Sequence, residues 1–210
     1  MHKYKAILFD LDGTLLDTSE GIISSVKYAI DIMGLESLSD NRIQSFIGPP
    51  IQNTFKEVYN LCDEETSKIA SIFRERYSTV DLFKAKPYDG VLETLSKLKK
   101  QGYYIGIATY KREDYAKKIV EHFGLSKYCD VIEGSDFAGK LSKSDIINRC
   151  IDKLSVEKNE ILMVGDTEND RIGAEMLCVD FLPVTYGFGF NRDSYNFTVL
   201  NHIRDILFLI

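Results

Sequence analysis

Five short apolar runs, the last four separated by helical patterns, constrain this chain more than any other feature. They are Ala6–Phe9 and residues 104–108, 131–133, 161–164 and 181–184, each rich in β-branched or aliphatic side chains and each short enough to be a buried strand. Residues 91–101 carry Val91, Leu92, Leu95 and Leu98 on one helical face and stop at Gly102, and residues 115–123 stop at Gly124. A glycine there supplies the left-handed residue that closes a helix. Residues 144–154 place Ile146, Ile147, Cys150, Ile151 and Leu154 at helical spacing, and 169–178 follow the fourth run. Strand and helix in alternation predict an α/β fold with a Rossmann-like parallel-sheet core.

The first connection breaks that rhythm. Roughly ninety residues separate the first strand from the second, where a crossover needs only about 10–12. The intervening stretch reads as helical. Ile22, Ile23, Val26, Ala29, Ile30 and Met33 form one stripe ended by Gly34. A second helix is expected near Asp40, a third after Gly48-Pro49-Pro50, and a fourth over residues 64–77. Helices with one apolar face must cover one another, so residues 18–83 are expected to form an inserted helical subdomain. Residues 1–17 and 84–210 then form the α/β core. A chain of 210 residues suits this division.

Net charge narrows the partners. The chain carries a formal charge of −6 with no lysine- or arginine-rich run, which argues against a nucleic-acid partner. A few cations and a metal ion can still make a cleft attractive to a small anion. Cys62, Cys129, Cys150 and Cys178 are scattered without a CxxC pair, as expected of reduced thiols in a cytoplasmic protein. His2, His122 and His202 are isolated, so a zinc site is not expected. The N-terminus runs straight into the first strand without a signal-peptide pattern, and no apolar stretch approaches the ~20 residues of a membrane span. The apolar tail, residues 206–210, is expected to tuck against the core.

The chemistry sits at the ends of the apolar runs. Directly after the first comes Asp10-Leu11-Asp12-Gly13-Thr14. Asp10 and Asp12 are two apart, so an extended backbone aims both to one side, and Gly13 permits a sharp turn. Open α/β sheets bind ligands at the carboxyl ends of their strands. Two carboxylates held there repel each other and need a cation or a shared proton. The fourth run ends in Gly165-Asp166-Thr167-Glu168-Asn169-Asp170. An acid such as Asp170 at a helix start can serve as a cap. Together with Asp166 and the first acidic loop it points to magnesium, which prefers oxygen ligands.

Two weaker candidates lie between. Thr109 follows the second run and offers a hydroxyl to phosphate oxygens, although by itself it also reads as a helix cap. Lys143 stands at the start of a helix, where the dipole gives a cation no advantage, and that conflict hints at function. Lys140 competes for the same role, and the sequence does not separate the two. Lys111, two residues after Thr109, could reach the substrate or could be a solvated surface lysine, and the residues alone leave both open.

These four elements in this order resemble the haloacid dehalogenase-like hydrolase superfamily, over roughly residues 1–17 and 84–190. The insert after the first motif resembles the helical cap of the phosphoglycolate phosphatase-like branch, which makes the α/β core the catalytic part and residues 18–83 its cap domain. Phe46-Ile47-Gly48-Pro49-Pro50, Lys86-Pro87-Tyr88 and Thr185-Tyr186-Gly187-Phe188-Gly189 look like segments of that branch. The resemblance implies a sheet with the first strand between the second and fourth. It implies a magnesium-dependent phosphatase acting on a small phosphorylated metabolite, as monomer or homodimer, without nucleic acid or membrane. Asp10 would be the nucleophile that forms an aspartyl-phosphate, and Asp12 the general acid and base. Thr109 and Lys143 would hold the phosphoryl oxygens, with Lys111 and Gly48 as further substrate contacts. Asp10, the Asp12 backbone carbonyl, Asp166 and Asp170 would hold magnesium. The cap would close over the cleft and read the leaving group.

Relatives that cleave carbon–halogen or phosphonate bonds lack an acid at the position of Asp12. Mutases of the group carry a histidine shortly after the first motif, where this chain has Asp17-Thr18-Ser19-Glu20-Gly21. Pyrophosphate, nucleotides and protein tyrosine are further substrates used on this scaffold. A non-catalytic phospho-acceptor module is the alternative from another class. Receiver domains also gather acids, Thr and Lys at strand ends, but they lack the helical insertion and need no counterpart of Asp12.

Overall fold

A computed structural model describes residues 3–137, 139–190 and 198–210. The chain forms two compact units, one of Met1–Asp17 with Pro87–Ile210 and one of Thr18–Lys86. Two-residue strands, β2 (Leu16–Asp17) and β3 (Lys86–Pro87), stand at the two ends of the second unit.

The first unit is built on five parallel strands: β1 (Ala6–Phe9), β4 (Tyr104–Arg112), β5 (Val131–Ser135), β6 (Ile161–Gly165) and β7 (Asp180–Pro183). Their order is β5-β4-β1-β6-β7, with β1 in the middle. Phe9 pairs with Ile107 of β4 and with Val164 of β6, so the carboxyl ends of the three central strands come level. β1 and β6 are buried along their whole length, which is why they read as unbroken apolar runs. Helices α5 (Val91–Lys100), α6 (Glu113–His122), α7 (Lys143–Leu154) and α8 (Glu168–Glu175) connect the strands. Leu8, Ala108 and Met163 from the sheet pack with Ile146, Ile147 and Cys150 of α7 and Ala174 of α8 in one core cluster. Each fully buried Leu or Ile contributes about 1.5–3 kcal/mol relative to exposure.

Two expectations are corrected here. β4 does not end near Ala108 but runs on to Arg112, with a register irregularity between the two. Its last residues, Tyr110 to Arg112, are only half-buried and polar, so the apolar pattern stops before the strand does. Thr109 therefore lies inside β4, and Arg112 takes the position before α6. The tail is only partly tucked. Ile203 and Ile206 are buried in a 3₁₀ turn, whereas Phe208 is 86% and Leu209 49% exposed.

The second unit consists of α1 (Ser19–Ile32), α2 (Asp40–Gln44), α3 (Ile51–Tyr59) and α4 (Asp63–Arg76). Ile22, Val26, Ala29 and Ile30 form the buried stripe of α1. An aromatic chain makes the core. Phe46 meets Phe55 edge-on at 4.8 Å, Phe55 meets Phe73 at 6.4 Å, and Phe73 stacks on Tyr77 at 5.5 Å. Beyond α4 the backbone widens into a π-turn, Tyr77–Asp81, that buries Asp81 completely. The Asp81 carboxylate accepts a hydrogen bond from Ser25 Oγ at 2.9 Å and pairs with Arg76 Nε at 2.9 Å and Lys84 Nζ at 2.8 Å. Burial pushes its pKa up, but the two cations and the hydroxyls outweigh that and hold it below the usual carboxylate value. No helix among the described residues is long and apolar enough to cross a membrane, and all four cysteines are free thiols.

Candidate active site

Asp10 is the first residue beyond β1. Its backbone N–H donates to Val164 O of β6 at 2.9 Å, which extends the ladder by one step and fixes where the side chain departs. The chain then turns, with Gly13 N donating to Leu16 O at 2.8 Å. Gly13 adopts φ 84, and a Cβ built there would stand 2.1 Å from Asp166 Oδ2. Glycine is needed here both for the backbone conformation and for the approach of the carboxylate.

Asp166 follows Gly165 at the end of β6. Its Oδ2 accepts the Phe188 N–H at 2.8 Å, and Thr14 Oγ1 lies 3.4 Å from Oδ1. Gly187 lets the 185–189 segment reach the same carboxylate, since a Cβ there would meet Asp166 Cβ at 2.4 Å. Asp170 lies in the first turn of α8 and divides its two oxygens. Oδ2 accepts from Thr167 N at 3.0 Å and from Thr167 Oγ1 at 2.6 Å, capping the helix. Oδ1 pairs with Lys143 Nζ at 2.5 Å. The capping and charge-cluster readings of Asp170 thus describe different atoms of one group. Asp10, Asp166 and Asp170 are all buried, and each offers an oxygen within 4.8 Å of the others.

Lys143 is the first residue of α7, and its ammonium bridges Asp10 Oδ1 at 2.7 Å and Asp170 Oδ1 at 2.5 Å. Lys140 is exposed, and its backbone N–H donates to Asp136. The structure therefore separates the two lysines. Lys143 is in phase with Ile146, Ile147 and Cys150 on the buried face of α7, whereas Lys140 precedes the helix. That phase was a usable signal in the sequence.

The electrostatics follow from burial. It pushes the Asp10 carboxyl up to about 7, with Asp170 and Asp12 adding to the rise and Lys143 opposing it. Burial, then Asp10 and Asp170, raise Asp166 well above the ordinary carboxylate value. Burial pulls Lys143 down, but Asp10 and Asp170 outweigh it and raise its pKa overall. Three buried carboxylates thus face one ammonium, an excess of negative charge that a divalent cation would relieve. The donors are all oxygen, and no His or Cys joins this group among the described residues. Such a set fits magnesium. His122 ends α6 and His202 precedes the tail turn, while His2 lies outside the described residues.

The remaining candidates are distributed as follows. The Asp12 carboxylate pairs through Oδ1 with Lys111 Nζ at 2.9 Å, both side chains being buried. Lys111, expected to face the substrate, therefore has its ammonium on Asp12. Thr109 is buried, and its Oγ1 accepts the Lys111 N–H at 3.2 Å. Gly48 belongs to the helical unit, half-buried at φ 100 before Pro49. Sequence reasoning passed over Tyr110, whose phenol reaches the backbone of Lys143, and Gly173 of α8, against which the Lys143 stem packs. Each contact joins positions thirty or more apart, which no local pattern reveals.

The family model described as haloacid dehalogenase-like hydrolase matches residues 7–184. A 5'-nucleotidase of Pseudomonas aeruginosa is 34% identical over 188 residues, which are 89% of this chain and 85% of that protein. A phosphoglycolate phosphatase of Aquifex aeolicus is 31% identical over 79% of this chain and 78% of its own. The crystal structure of a predicted phosphatase from Clostridium acetobutylicum superposes with a TM-score of 0.91 at 34% identity, covering 100% of both chains. With a matching family model over most of its length and an acidic cluster at the strand ends, the chain belongs to the haloacid dehalogenase-like hydrolase family.

Proposed function

We propose that this chain is a magnesium-dependent phosphatase that hydrolyses a small phosphate monoester through an aspartyl-phosphate on Asp10. The observation that carries the reading is the buried group at the sheet's carboxyl edge: Asp10, Asp166 and Asp170 within 4.8 Å, with Lys143 bridging two of them.

Asp10 attacks phosphorus in line, so that a carboxylate O–P bond forms as the bond to the leaving oxygen breaks. Asp12 protonates the departing alkoxide, then removes a proton from the water that attacks the aspartyl-phosphate and releases inorganic phosphate. Lys143 and Thr109 hold the phosphoryl oxygens as charge redistributes, and they are preorganised by burial. Lys111 pairs with Asp12 and would orient it beside the substrate. Asp10, the Asp12 carbonyl, Asp166 and Asp170 would hold magnesium. When bound, the ion supplies positive charge that lets an anionic substrate approach an anionic nucleophile.

The leaving group is a small metabolite. Phosphoglycolate, a nucleoside monophosphate and pyrophosphate are the first to test, each matching the name of a relative. We place the reaction in the cytoplasm, since four free thiols suit a reducing compartment. The test is release of inorganic phosphate from these compounds and sugar phosphates, with magnesium and with EDTA, beside Asp10→Asn. Magnesium-dependent release that the variant lacks supports the reading, and the best kcat/KM names the substrate. Release that persists in Asp10→Asn removes Asp10 as nucleophile. Silence of well-folded protein across the panel favours a binding module or a macromolecular substrate.

A further inference from the structure

The Lys143 ammonium touches two carboxylates, but carboxylates alone do not fix it. A lysine side chain has four rotatable bonds, and the acids it bridges repel each other, so something must hold the stem. Two contacts do so. On one side stands Gly173 of α8, where an added Cβ would lie 2.8 Å from Lys143 Cγ and 2.9 Å from its Cβ. A glycine inside an eight-residue helix is a poor helix former, and the passage of this stem accounts for it. On another side stands Tyr110.

Tyr110 makes two separate contacts to Lys143. Its phenol oxygen accepts the Lys143 backbone N–H at 3.0 Å, and its ring centroid lies 5.6 Å from Nζ. That N–H opens α7 and is one of the donors that a helix cannot satisfy internally. Ser142 Oγ is engaged with Asp145 N, so Tyr110 supplies an acceptor from another element. The ring lies within the ~6 Å at which a cation is attracted to an aromatic face. The irregular end of β4 between Ala108 and Arg112 carries Tyr110 to this position.

We propose that Tyr110 is a positioning residue for Lys143, its phenol fixing the start of α7 and its ring fixing the ammonium between Asp10 and Asp170. Its kinetic consequence rests on the phosphatase reading, whereas the placement does not. Tyr110 touches no reacting atom in this scheme and acts through Lys143.

Two measurements test it. The first needs no turnover. In metal-free protein carrying ¹³C-lysine, the Lys143 Hε signal, assigned by its loss in Lys143→Met, is displaced upfield by the ring. Tyr110→Leu moves it back toward the other lysines and Tyr110→Phe keeps it displaced. An Hε shift identical in wild type and Tyr110→Leu overturns the proposal. The second is kinetic. Tyr110→Phe, which keeps the ring and loses the acceptor, lowers kcat about 3- to 10-fold with KM within about twofold. Tyr110→Leu lowers it about a further 10-fold. A packing role alone would lower the melting temperature without ordering kcat as Tyr, Phe, Leu. Equal kcat in all three proteins overturns the proposal, while phosphate release that Asp10→Asn lacks would leave the phosphatase reading standing. If wild type releases no phosphate, that reading falls and the NMR shift alone decides the placement of Lys143.

Discussion

Replacing Asp10 by Asn in magnesium-free protein should make the fold more stable above neutral pH. The ordinary carboxyl value is 3.8, and burial among Asp12, Asp170 and Lys143 carries Asp10 to about 7. Between those values the native state keeps a proton that the unfolded chain has released. Wild-type stability therefore falls as pH rises through this window, and the cost is complete above about pH 7. A gap of that size corresponds to about 4 kcal/mol. Asn does not titrate and presents a similar shape, but it leaves Lys143 paired with Asp170 alone, so the expected gain is about 2–4 kcal/mol. For a chain of this length that is roughly 5–15 °C in Tm. The assay is a series of thermal melts in EDTA from pH 4 to pH 8. The two proteins should melt together near pH 4, separate up to pH 7 and stay apart above it, with the variant inactive throughout. Saturating magnesium should raise wild type and close the gap, because only the intact carboxylate set gains from the ion. Parallel melting curves at every pH, or a variant less stable than wild type at pH 8, would refute the reasoning that burial, helped by the neighbouring acids, makes the ionised Asp10 costly.

Three further outcomes follow from single contacts. Gly13→Ala, whose new Cβ would fall 2.1 Å from Asp166 Oδ2 at a backbone φ of 84, should lower kcat by about 100-fold and remove the magnesium-dependent rise in Tm. A variant that keeps both would show that Asp166 can move without consequence. Magnesium binding should release more protons at pH 6 than at pH 8, because Asp10 titrates at about 7, and calorimetry in buffers of different ionisation enthalpy would detect equal release as a contradiction. Asp81→Asn should cost the helical unit about 2 kcal/mol at pH 7, through loss of the pairing with Arg76 and Lys84. Asp81 titrates below 3.8 in the fold, so its stabilisation is present above that value and is lost as pH falls through the folded pKa. Hydrogen exchange of α4 amides should show the gap closing in acid, and a pH-independent difference would exclude the ion pairs as its cause.

What was legible in the sequence depended on whether a residue's environment is set by its neighbours along the chain or across space. β1 and β6 were plain because both faces of a central parallel strand are buried, which leaves an unbroken apolar run. The end of β4 was hidden because Tyr110, Lys111 and Arg112 are polar and break the apolar run while the backbone still pairs with β5. Asp81 gave no signal at all, since a π-turn shifts the helical phase just where a buried acid is set between cations from either side of it. Lys143 lay in between. Its position at a helix start was readable and its partners were not, yet its phase with Ile146, Ile147 and Cys150 already placed a cation on a buried face. A lysine does not stay ionised in such a place without anions to meet it, and this sequence has its unexplained acids at Asp10 and Asp170. The two puzzles answer each other: a buried Asp10 raised first by burial and then by its acidic neighbours, and a buried lysine that only the surrounding acids can keep charged, require one another before any ligand is considered.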